Sequence, residues 1–307
     1  MTPQVVPPDQ AMVEDDIRRA LAEDVREGDV TASLLPDGPD IAYLLCKEDA
    51  VIAGQPWFDA THRALDPHVR IDWRIDEGDR VPRGTVIATL EGHSRALVTA
   101  ERTALNFLQT LSGTATTTAQ YVDAVAGTGA KILDTRKTIP GLRMAQKYAV
   151  RMGGGFNHRI GLFDAVMLKE NHIRAFGSLA AAAREATTRH PGLPLIVEVE
   201  TLDQLRDALT VGCTRVLIDD FDAATRREAV RIARDEFGGR IPLEVSGGVD
   251  MTTLRGIAED GVDYISIGGL TKHVHAIDLS MKLGPPPSTA ARADSWQPVP
   301  PTTGSPS

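Results

Sequence analysis

Cysteine is almost missing from this chain: Cys46 and Cys213 are the two in 307 residues, far apart and without metal-ligand spacing. That excludes a disulfide scaffold or a zinc module, and it points to two reduced packing residues in a cytoplasmic protein. Long apolar runs are missing too. No stretch approaches the roughly 18 to 20 residues needed to cross a bilayer. The opening MTPQVVPPDQ has no basic start and no continuous apolar segment, so it does not read as a signal peptide. Positive charge is in deficit, with a net charge of -9, which excludes a general nucleic-acid binder. No GxSxG elbow occurs, and no Gly-rich loop follows the first strand of a dinucleotide fold.

What is present suits a globular enzyme. At 42% hydrophobic and 24% charged residues, the chain has the means to bury a full core. Its charge is unevenly spread. Residues 131–174 hold nine Lys/Arg against three Asp/Glu, a net +6, which leaves -15 for the remainder. Exposed surface ordinarily mixes signs, so this segregation reads either as a local anion site or as a basic solvated helix face.

The ends of the chain are rich in Pro, Ser and Thr, with seven prolines in residues 284–307, and are expected to be mobile tails. A helix is expected from about Met12 to Glu27. From 40 to 95 the pattern changes to short strands and turns: IAYLLCKEDAVIAG reads as a hairpin, and VRIDWRIDEGDRVPRGTVIATLEG alternates around Gly turns. Residues 97–125 have helical spacing with an expected break near Ser112-Gly113. Beyond them the apolar runs KILDT, AVMLKE, LIVEVE, RVLIDD, PLEVSGG and YISIGG alternate with helix-like stretches. Strands this apolar, separated by helices, indicate a covered parallel sheet. Each run is expected to be apolar at its start and polar at its end, which favours a TIM-like barrel over an open doubly wound sheet.

Chemistry-bearing residues concentrate in 134–172. Arg136 and Lys137 follow a strand; the first offers a planar fork to a carboxylate, the second a mobile point charge. Gly153-Gly154-Gly155 marks a close approach or a sharp turn. His158 and Arg159 add a group titrating near neutrality and a second fork, and Lys169 ends an apolar run. Glu198 and Asp219 end separate strands, where they either hold Mg²⁺ jointly or neutralise the cationic cluster. Glu200 and Asp220 stand beside them. Ser246, Gly247, Gly248, Gly268 and Gly269 close the last two strands, the usual place for a phosphate cradle in a barrel. A lyase using Lys169 as a Schiff-base amine is the alternative from another reaction class.

TAERTALNFLQTLSG, DTRKTIPGLR, QKYAV, GGGFNHRIGLFDAVMLKENH, VEVETLDQL, VLIDDF and EVSGGV together resemble the signature segments of quinolinate phosphoribosyltransferases, over about residues 12–283. The resemblance implies phosphoribosyl transfer from 5-phosphoribosyl 1-pyrophosphate to quinolinate with decarboxylation, dependent on Mg²⁺. It implies an α/β fold: an N-terminal α/β sandwich domain (12–115), an incomplete barrel of about seven strands (116–275) and a return to the N-terminal domain (276–283), with tails at 1–11 and 284–307. It also implies a homodimer in which Arg102 is donated across the interface. Arg102, Arg136, His158, Arg159 and Lys169 would clamp the dicarboxylate, and Lys137 and Lys169 would face the phosphoribosyl donor. Glu198 and Asp219 would hold metal and ribose, and Ser246, Gly247, Gly248, Gly268 and Gly269 the 5-phosphate. Two positions depart from the family pattern: Asp220, where Asn is frequent, and Val245, where Ser is frequent.

Overall fold

The computed structural model describes residues 8–287; most of both expected tails lies outside them. In chain order the helices are α1 (Gln10–Asp24), α2 (Gln55–Leu65), α3 (Ser94–Ala124), α4 (Arg143–Met152), α5 (Glu170–Phe176), α6 (Leu179–Arg189), α7 (Leu202–Thr210), α8 (Ala223–Arg231), α9 (Leu254–Glu259) and α10 (Gly269–Lys272). The strands are β1 (Pro39–Cys46), β2 (Ala50–Val51), β3 (Arg70–Trp73), β4 (Arg80–Val81), β5 (Val86–His93), β6 (Lys131–Leu133), β7 (Val166–Leu168), β8 (Leu195–Val199), β9 (Arg215–Asp219), β10 (Leu243–Ser246), β11 (Tyr264–Ser266) and β12 (Leu279–Leu283). They form two compact units, each made of discontinuous stretches. Residues 139–154 and 273–287 join the N-terminal unit, and 120–138 with 155–272 make the second.

In the first unit, alternation along β1 buries Ala42, Leu44 and Cys46 on one face. The hairpin expected over 41–54 does not form. β1 pairs instead with β5 and with β12, the strand returning from the far end of the chain, while β2 pairs with β4. A period-2 pattern says that a strand has a buried face; it does not say which strand lies beside it.

Helix α3 is apolar on two sides. Leu97, Ala104, Leu105 and Leu108 join the sheet's core, whereas Phe107, Leu111, Ala115 and Ala119 join a second cluster with Val13, Ile17 and Trp57. A helix hydrophobic around most of its girth is a helix sandwiched between layers. The expected break at Ser112-Gly113 is absent, and the helix runs through it. A Cβ at Gly113 would stand 2.1 Å from the His275 carbonyl oxygen, so this glycine permits a close backbone approach and does not end a helix. Both cysteines are unpaired and buried, and burial pushes each thiol up to about 11.

The second unit is an incomplete α/β barrel. Its six parallel strands run β6-β11-β10-β9-β8-β7, and an isolated parallel bridge from Leu133 to Phe156 adds a seventh strand position beyond β6. Side chains alternate between faces. Ile132, Ile265, Val245, Ile218 and Val199 lie in register in one fully buried row. The intervening register rows carry Lys131, Tyr264, Glu244, Leu217 and Glu198, then Leu133, Ser266, Ser246 and Asp219. Three of the six strands are therefore not apolar at their starts: β6, β9 and β11 open on Lys131, Arg215 and Tyr264, whereas β7, β8 and β10 open on Val166, Leu195 and Leu243. Ser178, Thr201 and Asp222 cap α6, α7 and α8 by accepting backbone N–H groups.

Two outcomes follow. Gly113→Ala should destabilise the protein by about 1–3 kcal/mol in chemical denaturation, although Ala is the better helix former by about 1 kcal/mol, because the added methyl has nowhere to go. Glu77 supplies the second. Its carboxylate accepts from Gly54 N and Gln55 N at the start of α2, and burial raises it from 4.5 to about 7 against those bonds. The folded state then binds the extra proton between the two values, so stability should fall as pH rises from about 4.5 to 7. Glu77→Gln should flatten that slope in melting curves taken across the window.

Candidate active site

The cationic residues ride on two loops of the barrel, and one buried carboxylate ties them together. Asp134 follows β6 and is fully buried. It accepts Asn157 Nδ2 at 2.6 Å and the His158 backbone N–H at 2.8 Å, while its own N–H donates to Phe156 O. Arg136 and Lys137 leave from one side of this joint, and His158 and Arg159 from the other. The Lys137 N–H donates to Thr135 Oγ1, and the Lys137 carbonyl accepts from Thr271.

Arg136 and Arg159 come close enough to repel. Burial first, and then the Arg136 charge, shifts Arg159 below the usual arginine range, while Asp164 opposes the shift. The Arg159 guanidinium is held by Ala165 O at 3.3 Å and the Met167 sulfur at 3.6 Å. Two forks gathered at reduced solvation form a site that a carboxylate relieves.

Lys169 caps α5, and its backbone N–H donates to His172 Nδ1 at 3.1 Å. Its ammonium meets Glu198 Oε2 at 2.5 Å with 47% of the side chain exposed. That setting is the opposite of the apolar enclosure that activates a Schiff-base amine. Asp219 ends the adjacent strand and lies beside Gly247, where a Cβ would be 3.0 Å from Asp219 Oδ1. Gly247 and Gly248 both have positive φ, and with Ser246 they line a cavity of about 510 Å³ that Phe221, Arg226 and Thr253 share. Gly268 has a further use: a Cβ there would stand 2.9 Å from Lys137 Cδ, so the glycine leaves a path for the lysine stem.

His158 is buried, its Nδ1 accepts the Arg159 N–H at 2.7 Å and its Nε2 faces Glu244 Oε1 at 3.3 Å. Nδ1 is thus engaged by the backbone, and Nε2 lies in a close charge contact with a buried carboxylate oxygen that has no hydrogen-bond partner among the described residues. Arg102 is exposed on α3, in the first unit. Gly153 in the glycine triplet lets α4 approach α3, since a Cβ would meet Ala115 O at 2.4 Å, and Gly154 turns with φ +84°. Asp220 has φ +59°, a conformation that Asn and Asp tolerate best, so its departure from Asn preserves the turn. Val245 belongs to the buried apolar row and also lines the cavity beside Ser246.

Sequence reasoning did not single out Asp134, His172 or Glu244 for the tasks they perform. DTRKT and KENH held the signal for the first two, as polar residues beside cationic ones.

Asp134→Ala removes the acceptor of the buried His158 N–H along with that of the Asn157 amide and should cost on the order of 1–3 kcal/mol in urea denaturation. Asp134→Asn keeps one acceptor oxygen and should lose less.

Two family models cover most of the chain: "Quinolinate phosphoribosyl transferase, N-terminal domain" over residues 29–112 and its C-terminal domain over 114–282. A Mycobacterium leprae protein named nicotinate-nucleotide pyrophosphorylase [carboxylating] is 42% identical over 277 residues, spanning 88% of this chain and 96% of that one. A Nicotiana tabacum quinolinate phosphoribosyltransferase [decarboxylating] is 38% identical over 87% of this chain and 81% of its own. Among solved structures, the nicotinate-nucleotide pyrophosphorylase from Francisella tularensis superposes with a TM-score of 0.88 at 44% identity, covering 92% of this chain and all of that one.

Proposed function

The chain belongs to the quinolinate phosphoribosyltransferase family, and on that premise we propose that it transfers the phosphoribosyl group of 5-phosphoribosyl 1-pyrophosphate to quinolinate, releasing CO₂ and pyrophosphate and forming nicotinate mononucleotide. The observation that carries this reading is the meeting of Arg136 and Arg159, whose mutual repulsion a dicarboxylate relieves. Lys169 stands at the end of the neighbouring β7. His158 serves the clamp by holding Arg159 in place. Exposed Arg102 is given by the second copy of the chain in a homodimer. Nicotinate has one carboxylate and would leave a fork unmatched, a loss of about 1.5–3 kcal/mol for a bond to a charged group.

On the donor side, Lys137 and Lys169 face the phosphoribosyl group, and Ser246, Gly247, Gly248, Gly268 and Gly269 receive its 5-phosphate. Glu198 and Asp219 would hold Mg²⁺ and the ribose hydroxyls. The residues fit such an ion. They offer two hard oxygen donors on adjacent strands, and the described residues contain no cluster of three or more metal-binding groups, so substrate oxygens and waters would complete the shell. A bound Mg²⁺ would offset charge on the departing pyrophosphate.

The protein's own part is positioning and charge. The clamp aims the pyridine nitrogen at C1 of the ribose, which turns a bimolecular encounter into a near-attack arrangement. Lys137 stabilises the negative charge that builds on the leaving pyrophosphate. Once ribosylated, the cationic ring takes up the electron pair freed as the 2-carboxylate departs as CO₂. No covalent nucleophile is involved. The two buried, protonated thiols suit a reducing cytoplasm.

Incubation with Mg²⁺, 5-phosphoribosyl 1-pyrophosphate and either quinolinate or nicotinate should give the mononucleotide from quinolinate, detected by mass. Product from nicotinate alone sinks the reading. Arg102→Ala chains mixed with Lys137→Ala chains should regain part of the activity, and verified mixed dimers without recovery would remove the cross-subunit assignment.

A further inference from the structure

We propose that Glu244 is the positioning residue of the cationic clamp: from the barrel interior it holds His158 in its Nε2–H tautomer, and through that ring it fixes the backbone at Arg159.

The chain of contacts has a direction. Arg159 donates its backbone N–H to His158 Nδ1 at 2.7 Å, so Nδ1 must carry a lone pair. The ring proton of the neutral imidazole is then on Nε2, and Nε2 faces Glu244 Oε1 at 3.3 Å. The pair is a close charge contact and not an aligned hydrogen bond, since Glu244 Oε1 has no hydrogen-bond partner among the described residues. The negative potential of that carboxylate at Nε2 favours the proton there and disfavours a bare lone pair facing it. Glu244 is fully buried, and its second oxygen accepts from Arg215 Nη1 at 2.8 Å. Burial alone would raise its carboxyl, but His158, Arg215 and Ser266 together hold it below the usual range. Arg215 is fixed in turn, with its guanidinium 4.5 Å from the centre of the Tyr264 ring.

Stability is a weak reason for such an arrangement, because buried ion pairs replaced by packed hydrocarbon often leave a protein as stable as before. Orientation is the better reason. Arg159 is pinned at its head by Ala165 O and Met167 and at its backbone by His158, beside another guanidinium that pushes it away. Without the pin, repulsion moves the fork. The link to quinolinate rests on the function proposed above; the link from Glu244 to the tautomer does not.

Glu244→Gln makes the test, because Arg215 can only donate. It therefore draws the amide oxygen to itself and turns the amide N–H₂ toward His158 Nε2. The ring must then accept on Nε2 and protonate Nδ1, which breaks the bond to the Arg159 N–H. Imidazole ¹⁵N spectra of the full-length protein, with the His158 signals assigned by their loss in His158→Asn, should show Nε2–H in the parent and Nδ1–H in Glu244→Gln. In kinetics, KM for quinolinate should rise tenfold or more while KM for 5-phosphoribosyl 1-pyrophosphate stays within twofold. Glu244→Asp, which keeps an acceptor-only group, should retain the Nε2–H tautomer and show a smaller rise. An unchanged tautomer in Glu244→Gln overturns the proposal. So does an equal rise of both KM values with a lowered Tm, the mark of a merely structural role. If Glu244→Gln does not fold, a switched tautomer in Glu244→Asp overturns it. Should the parent protein not use quinolinate, the spectra alone decide the Glu244 assignment, and the proposed function fails separately.

Discussion

Two guanidiniums held close together at reduced solvation are the constraint on which the barrel's mouth depends. The Arg136 charge disfavours the Arg159 cation, both residues are half-buried, and nothing in their own chemistry keeps them together. The surrounding fold supplies the restraint. Asp134 binds the two loops at their bases, Glu244 steadies the ring behind Arg159, and Glu198 takes the third cation, Lys169. Each carboxylate belongs to a different strand or its end, so the order of the sheet distributes the opposing charge around the site.

Backbone bonds complete what the carboxylates begin. His158 accepts the N–H of Arg159, and His172 accepts the N–H of Lys169, in both cases on Nδ1. The histidines thus anchor the cationic residues at the main chain, while the carboxylates act on side chains. Long, flexible Arg and Lys side chains lose conformational freedom when they take up a site, and anchoring their backbones beforehand leaves less to lose on binding.

Much of this was legible before the fold was known. The apolar runs from KILDT to YISIGG marked a covered parallel sheet, and the concentration of Arg and Lys between 131 and 174 marked a candidate anion site. The N-terminal unit was read less well. The hairpin over 41–54 failed because β1 takes β5 and a strand from residues 279–283 as its neighbours, and local alternation carries no information about partners so far away. The break at Gly113 failed for a related reason: glycine was read as a local helix breaker, when its use is to admit the His275 backbone. Polar residues at the starts of β6, β9 and β11 were passed over because strand ends drew attention, yet Arg215 and Tyr264 brace the carboxylate behind His158.

By itself, then, the sequence determined element types, the family, and which residues carry charge and reactive groups, since all of these follow from side-chain chemistry and short-range periodicity. Tertiary structure decided which of them meet. That Glu244 faces His158, that Asp134 joins two loops, and that Gly268 clears a path for Lys137 all come from register between strands distant in the chain. Contacts of that kind depend on distances in space, and the spacing of residues along a chain does not encode those distances directly.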